Sequence, residues 1–164
     1  MIIVSDTTPI ISLLKADRLD LLQKLFGRVI IPKAVYDELV SNTTFQDEAK
    51  VVEKCPYIYV EKVNDEKAVN IFRKVTGLDA GESEAIVLAD EKKSDLLLMD
   101  ERKGRIVAKQ MGLTITGTIG ILLQSYDERL LNANEVKDSI IKLKECGIRI
   151  SDALYNIVLE HIQS

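Results

Sequence analysis

Four consecutive apolar residues, Leu96-Leu97-Leu98-Met99, run directly into an acid, Asp100. So short and uniform an apolar run is the pattern of a strand covered on both faces, as in a parallel sheet. Ahead of it, Glu82, Ser83 and Glu84 open a segment whose Ala85, Ile86, Leu88 and Ala89 form the apolar side of an amphipathic helix. Lys92, Lys93 and Ser94 close that helix. Helix, buried strand and acid in succession leave few architectures. In open α/β sheets, ligands bind outside the carboxyl ends of the strands. Asp100 stands at such an end, and Glu82 begins the helix that feeds its strand.

The rest of the chain repeats the alternation. Ile2-Ile3-Val4 is a strand ending in Ser5-Asp6, followed by a helix with Thr8 as expected N-cap and Pro9 near its start. Leu19 to Phe26 is a short helix stopped by Gly27. Val29 to Ile31 is a second strand, and Lys33 to Val40, carrying Glu38, a helix. Asn42 to Asp47 is polar and turn-like, and Glu48 to Lys54 helical. Tyr57 to Val60 is a third strand. Asp65 to Val75 is a helix with Val69, Phe72 and Val75 expected inward. Beyond Asp100 come a helix over Arg102–Gln110, an edge-like strand at Thr114–Thr116, and helices over Thr118–Ser125, Asn134–Glu145 and Ser151–Ile162. The expected fold is a mostly parallel sheet with helices on both faces and a helical C-terminal extension over 134–164. Right-handed crossovers bring all carboxyl ends to one edge. No repeat or linker divides residues 1–164, so a single domain is expected.

Composition excludes several chemistries. His161 is the single histidine, expected in a surface or packing role, so histidine-based zinc sites and Ser-His-Asp triads are out of reach. No phosphate-cradling G-x-x-x-x-G-K-[ST] or G-x-G-x-x-G motif occurs. No apolar run is long enough to span a bilayer and no leader opens the chain, so a cytoplasmic protein is expected. Cys55 and Cys146 lack metal-ligand spacing and read as buried, inert thiols. A net charge of −4 argues against broad nucleic-acid binding by charge alone, but not against an enzyme that concentrates acids around metal ions.

What remains is acids at strand ends and helix starts: Asp6, Glu38, Glu82 and Asp100. Oxygen-only clusters suit Mg²⁺ or Mn²⁺, ions that promote phosphodiester hydrolysis. Each acid also has a plainer role: Asp6 or Asp100 as a helix cap, Glu38 as a solvated helix residue, Glu82 as a partner of the helix dipole. Glu84 faces another side and reads as a cap or as support for the others.

S-D-T-T-P-I-I, I-I-P-K-A-V-Y-D-E-L, L-D-A-G-E-S-E-A-I-V-L-A and L-L-L-M-D-E-R-K-G-R-I-V-A, in this order, resemble the PIN-domain superfamily. T-G-T-I-G-I-L-L and G-I-R-I-S-D-A-L-Y resemble its uncharacterised prokaryotic branch, related to VapC-type toxins. The resemblance implies a three-layer α/β/α sandwich and a ribonuclease dependent on Mg²⁺ or Mn²⁺. Carried over by motif, the catalytic and metal-holding acids are Asp6, Glu38, Glu82 and Asp100, with glutamate at 82 where toxin relatives commonly have aspartate. It also implies an RNA substrate, a small antitoxin partner and a homodimer. Thr7, Arg102 and Arg105, with Lys103 beside them, are placed to contact the substrate; as helix-start or solvated residues they would look the same.

Two other classes compete. A non-catalytic PIN-like module would bind RNA or a protein without cutting. A phosphotransfer domain would use Asp6 as the phosphorylated acid, but a haloacid-dehalogenase-like enzyme wants D-x-D where this chain has Asp6-Thr7-Thr8. A receiver domain wants a preceding acid pair, which is absent.

Overall fold

The computed structural model describes residues 1–41 and 46–163. Within them β1 (Ile3–Ser5), β2 (Val29–Pro32), β3 (Ile58–Glu61), β4 (Leu96–Leu98) and β5 (Ile115–Thr116) form one five-stranded sheet in the order β3-β2-β1-β4-β5. Every pairing is parallel; Val4 stands opposite Ile30, and Ser5 opposite Leu98.

Side chains alternate across this sheet, and the central strands β1, β2 and β4 are almost wholly apolar because both their faces are covered, whereas edge strand β3 leaves Tyr59 and Val60 exposed. Ile3, Val29, Ile31 and Leu98 enter one core, Val4, Ile30, Leu97 and Met99 the other. The first core is covered by α1 (Thr7–Lys15), α2 (Asp20–Phe26), α8 (Thr118–Asp127), α9 (Ala133–Glu145) and α10 (Asp152–Gln163), and reaches α3 (Lys33–Ser41) and α4 (Gln46–Lys54). The second is covered by α5 (Glu66–Thr76), α6 (Ala80–Lys92) and α7 (Arg102–Gln110). The result is the expected α/β/α sandwich. Among the described residues no helix is long and apolar enough to cross a membrane.

Strand order decides where a site can form. From β1 the chain winds outward through β2 and β3, then returns to the other side for β4 and β5. The winding reverses between β1 and β4, and a crevice opens outside the carboxyl ends at such a switch point. Asp6 and Asp100 flank it, and the backbone N–H of Asp6 donates to the Leu98 carbonyl at 2.9 Å.

Several local expectations are corrected. α6 is not one-sided: Ala85, Ile86, Val87, Leu88 and Ala89 are all buried, because the helix packs on the sheet and on α3, α5 and α7 together. Its small residues permit that close packing. The N-cap of α1 is Asp6, and Thr8 is exposed inside the helix. Val75 is 80% exposed, since α5 buries only Val69 fully and tucks Phe72 part-way in. Cys146 is exposed at the end of α9 and Cys55 half-buried; both are free thiols. Asn42 to Phe45, within the expected turn, lie outside the described residues, and Gln46 and Asp47 already belong to α4.

The C-terminal helices pack mainly on the body of the fold. Ile140, Leu143, Val158 and Ile162 are buried in the first core. The Tyr126 hydroxyl donates to the Ile162 carbonyl at 3.1 Å, and His161 meets Asp127 at 2.7 Å. Ile141 and Ile157 remain exposed. The extension is thus an integral layer, and Ile162→Ala, which opens a cavity in it, is expected to cost about 2–5 kcal/mol. Urea denaturation measures this; a change below about 0.5 kcal/mol would mean that α10 frays independently of the core.

Candidate active site at the carboxyl edge of the sheet

Asp6 comes first because its position costs most. It follows β1 and is only 3% exposed. As N-cap of α1 it makes no side-chain capping bond, so its carboxylate is not used up in starting the helix. Burial pushes its pKa up to about 7; the backbone N–H of Thr7 works against this, while the charges of Asp79, Glu38 and Asp100 add to it. An isolated buried carboxylate would normally be selected against.

Glu38 approaches from α3. The residue is exposed, yet its Oε2 accepts a hydrogen bond from the Thr7 hydroxyl at 2.8 Å. Thr7, itself buried, thereby ties the second acid to the residue after the first. Asp100 follows β4. Its Oδ1 accepts from the Thr118 backbone N–H and its Oδ2 from the Thr118 hydroxyl, both at 2.7 Å. The start of α8 therefore grips both oxygens of Asp100.

Glu82 sits in the first turn of α6. The N-cap of that helix is Asp79, whose Oδ1 accepts from the Glu82 backbone N–H at 2.8 Å. Burial raises the Glu82 pKa to about 7, helped by a side-chain hydrogen bond with Asp79 and by the charges of Asp79, Asp6 and Glu101. Two carboxyl groups in contact share a proton more readily than they both ionise. Glu82 Oε2 is sealed from solvent and has no hydrogen-bond partner. Glu84 turns elsewhere: its Oε1 accepts from the Ala34 backbone N–H at 3.3 Å, at the start of α3.

Asp6, Glu38, Glu82 and Asp100 thus all lie at the carboxyl edge. Asp79 and Thr118 join them unforeseen. Asp79 had a signal, the acid three residues before Glu82 that marks a helix start. Thr118 follows the last strand much as Asp100 follows β4, but a hydroxyl in that place carries no charge to notice. Arg105 is half-buried and donates from Nη1 to the Met99 carbonyl at 2.9 Å, which pins α7 to the end of β4. Arg102 is exposed.

Could these residues hold a metal ion? Among the described residues no three of the acids stand in a chelating arrangement; Thr7 holds Glu38 and Thr118 holds Asp100. The donor chemistry nevertheless fits. All donors are oxygens, as Mg²⁺ and Mn²⁺ prefer. Asp6 and Glu82 resist ionisation without a cation, and Glu82 Oε2 is a buried acceptor with nothing to accept.

Two glycines keep the space open. A Cβ at Gly104 would lie 2.6 Å from Met99 Sδ and 3.2 Å from Glu82 Oε2. A Cβ at Gly117 would lie 2.6 Å from Asp100 Oδ1 and 2.9 Å from Arg105 Nη1. A family model described as a PIN domain matches residues 2–164. No curated protein matches the chain.

Proposed function

The chain belongs to the PIN-domain family, and from that premise we propose that it is a ribonuclease that hydrolyses RNA phosphodiester bonds with Mg²⁺ or Mn²⁺. The observation that carries this reading is the buried Asp6 carboxylate in the crevice between β1 and β4, with Glu38, Asp79 and Asp100 as charged neighbours. Asp6, Glu38, Glu82 and Asp100 would hold the ion. When bound, such an ion polarises a phosphoryl oxygen and makes water more acidic. The protein's own part is positional. Thr7 orients Glu38, Thr118 orients Asp100, Asp79 caps the helix that carries Glu82, and cation binding would release the proton that burial favours on Glu82. The burial of Asp6 strengthens each charge interaction that reaches it.

Incubating purified protein with single-stranded RNA and Mn²⁺, with and without EDTA, tests the proposal. Cleavage that EDTA abolishes is the expected result, and intact RNA under all divalent ions would refute it. The absence of a chelating trio among the described residues favours one rival, a non-catalytic module that binds RNA without cutting it. The same assay separates the two, because the rival retains RNA and never shortens it. The finer reading, a toxin held by a small antitoxin, rests on the resemblance in the quoted motifs. It expects a neighbouring reading frame for a small DNA-binding protein.

A further inference from the structure

The start of α6 holds a second acid besides Glu82. Asp79, three residues earlier, is the N-cap of that helix, and an N-cap lies beside the third helical residue. The two carboxylates nevertheless face different surroundings. Glu82 Oε2 is sealed against α7: a Cβ at Gly104 would lie 3.2 Å from it and 2.6 Å from Met99 Sδ. Asp79 is exposed, and its Oδ1 stands over Gly81 with another part of the site. A Cβ at Gly81 would lie 3.0 Å from Glu38 Oε2 and 3.6 Å from both Asp79 Oδ1 and Thr7 Oγ1. Oxygens from α1, α3 and the start of α6 thus gather around one point, which a glycine keeps open.

The charges point the same way. After burial, and against the backbone N–H of Thr7, the charge that acts most strongly on Asp6 is that of Asp79, ahead of Glu38 and Asp100. Asp6 is 3% exposed, and its carboxylate makes no side-chain capping bond. A buried carboxylate and an exposed one beside it repel each other until a cation joins them. We infer that Asp79 is a direct ligand of the divalent ion, paired with Asp6, and that Glu82 serves the ion only through Asp79 or a water. This rests on the metal-dependent reading of the site. Mg²⁺ keeps several of its waters and takes one or two carboxylates. Asp6 and Asp79 meet that need, while Glu38 and Asp100, already held by Thr7 and Thr118, act through those waters. Asp79 Oδ1 stays with the cap, accepting from the Glu82 backbone N–H at 2.8 Å, which leaves Oδ2 for the ion. An exposed ligand beside a buried one lets the ion enter without complete dehydration.

Isothermal titration calorimetry of the metal-free chain with MnCl₂, in the absence of RNA, tests this apart from activity. Asparagine and serine cap a helix about as well as aspartate. Asp79→Asn and Asp79→Ser therefore keep the start of α6 and lose only the charge, and melting curves in EDTA check that both fold like the wild type. Each is expected to weaken Mn²⁺ binding about a hundredfold, the upper end of what even a residue behind a ligand costs. Glu82→Gln should weaken it by about tenfold at most. Glu84→Gln, an equal loss of charge on the same helix, should weaken it by no more than about threefold. If Mn²⁺ binds the wild type, and binds Asp79→Asn as well as it binds Glu84→Gln, the inference is overturned and the nuclease reading stands. A larger loss from Glu82→Gln than from Asp79→Asn overturns it as well. If Asp79→Asn loses Mn²⁺ as expected but the wild type leaves RNA uncut, Asp79 remains a ligand and the ribonuclease reading falls. A wild type that takes up no Mn²⁺ overturns the inference and, with RNA uncut, the reading with it.

Discussion

Asp6→Asn is expected to abolish RNA cleavage and, in metal-free protein above pH 7, to raise thermal stability. The sign follows from linkage. Folding raises the Asp6 pKa from 3.8 to about 7, so the folded state binds this proton more tightly than the unfolded chain does. Its contribution to stability is fully present below about pH 4 and is lost as pH rises through about 7. Glu82, raised from 4.5 to about 7, acts in the same sense, more weakly because it is partly solvated. Asparagine cannot ionise and gives up no capping bond, since the Asp6 side chain makes none. Each pKa unit is worth about 1.4 kcal/mol. With solvent relaxation, the gain at pH 8 should be on the order of 2–4 kcal/mol, or roughly 5–10 °C in Tm. Melting curves of both proteins in EDTA should coincide near pH 4 and diverge toward pH 8. Added Mn²⁺ should stabilise the wild type more than the variant, and activity should fall by more than about a hundredfold. An Asn variant that melts lower at pH 8 would make Asp6 a structural residue and remove it from the site.

Gly117→Ala should give the opposite profile, a folded protein with a displaced acid. The backbone at 117 is extended, with φ −115° and ψ −174°, so alanine meets no backbone strain there. The new methyl would instead lie 2.6 Å from Asp100 Oδ1, inside contact distance. Asp100 must swing away, losing one or both of its bonds to Thr118. A shift of about 1 Å at a catalytic group costs on the order of a hundredfold in rate. The stability cost should stay near 1–2 kcal/mol, roughly the value of a strained polar contact at a half-buried position. Comparing kcat with the urea midpoint separates the two effects. Unchanged kcat would show that Asp100 is free to move without consequence, and that it takes no part in the reaction.

The sheet was legible because burial on both faces leaves a strand no choice of side chain. Leu96 to Met99 could only be such a strand, and the same logic found Ile3-Val4 and Val29 to Ile31. Acids directly after these strands were legible for the same reason: a carboxylate next to a core is costly enough to require a purpose. α6 was legible as a helix but not in its burial. Its composition of small residues matches any amphipathic face, and only its neighbours α3, α5 and α7 decide that all sides are covered. Val75 erred the other way, an apolar residue at the correct period whose turn of α5 projects beyond the layer. Sequence determined which residues bear charge at the strand ends. Tertiary structure decided how they are held: Thr118, eighteen residues after Asp100, grips it; Thr7 reaches Glu38 across thirty-one. Local pattern encodes burial and charge because each is a property of one residue and its neighbours. Hydrogen-bond partners depend on distances that exist only after the strands have been ordered.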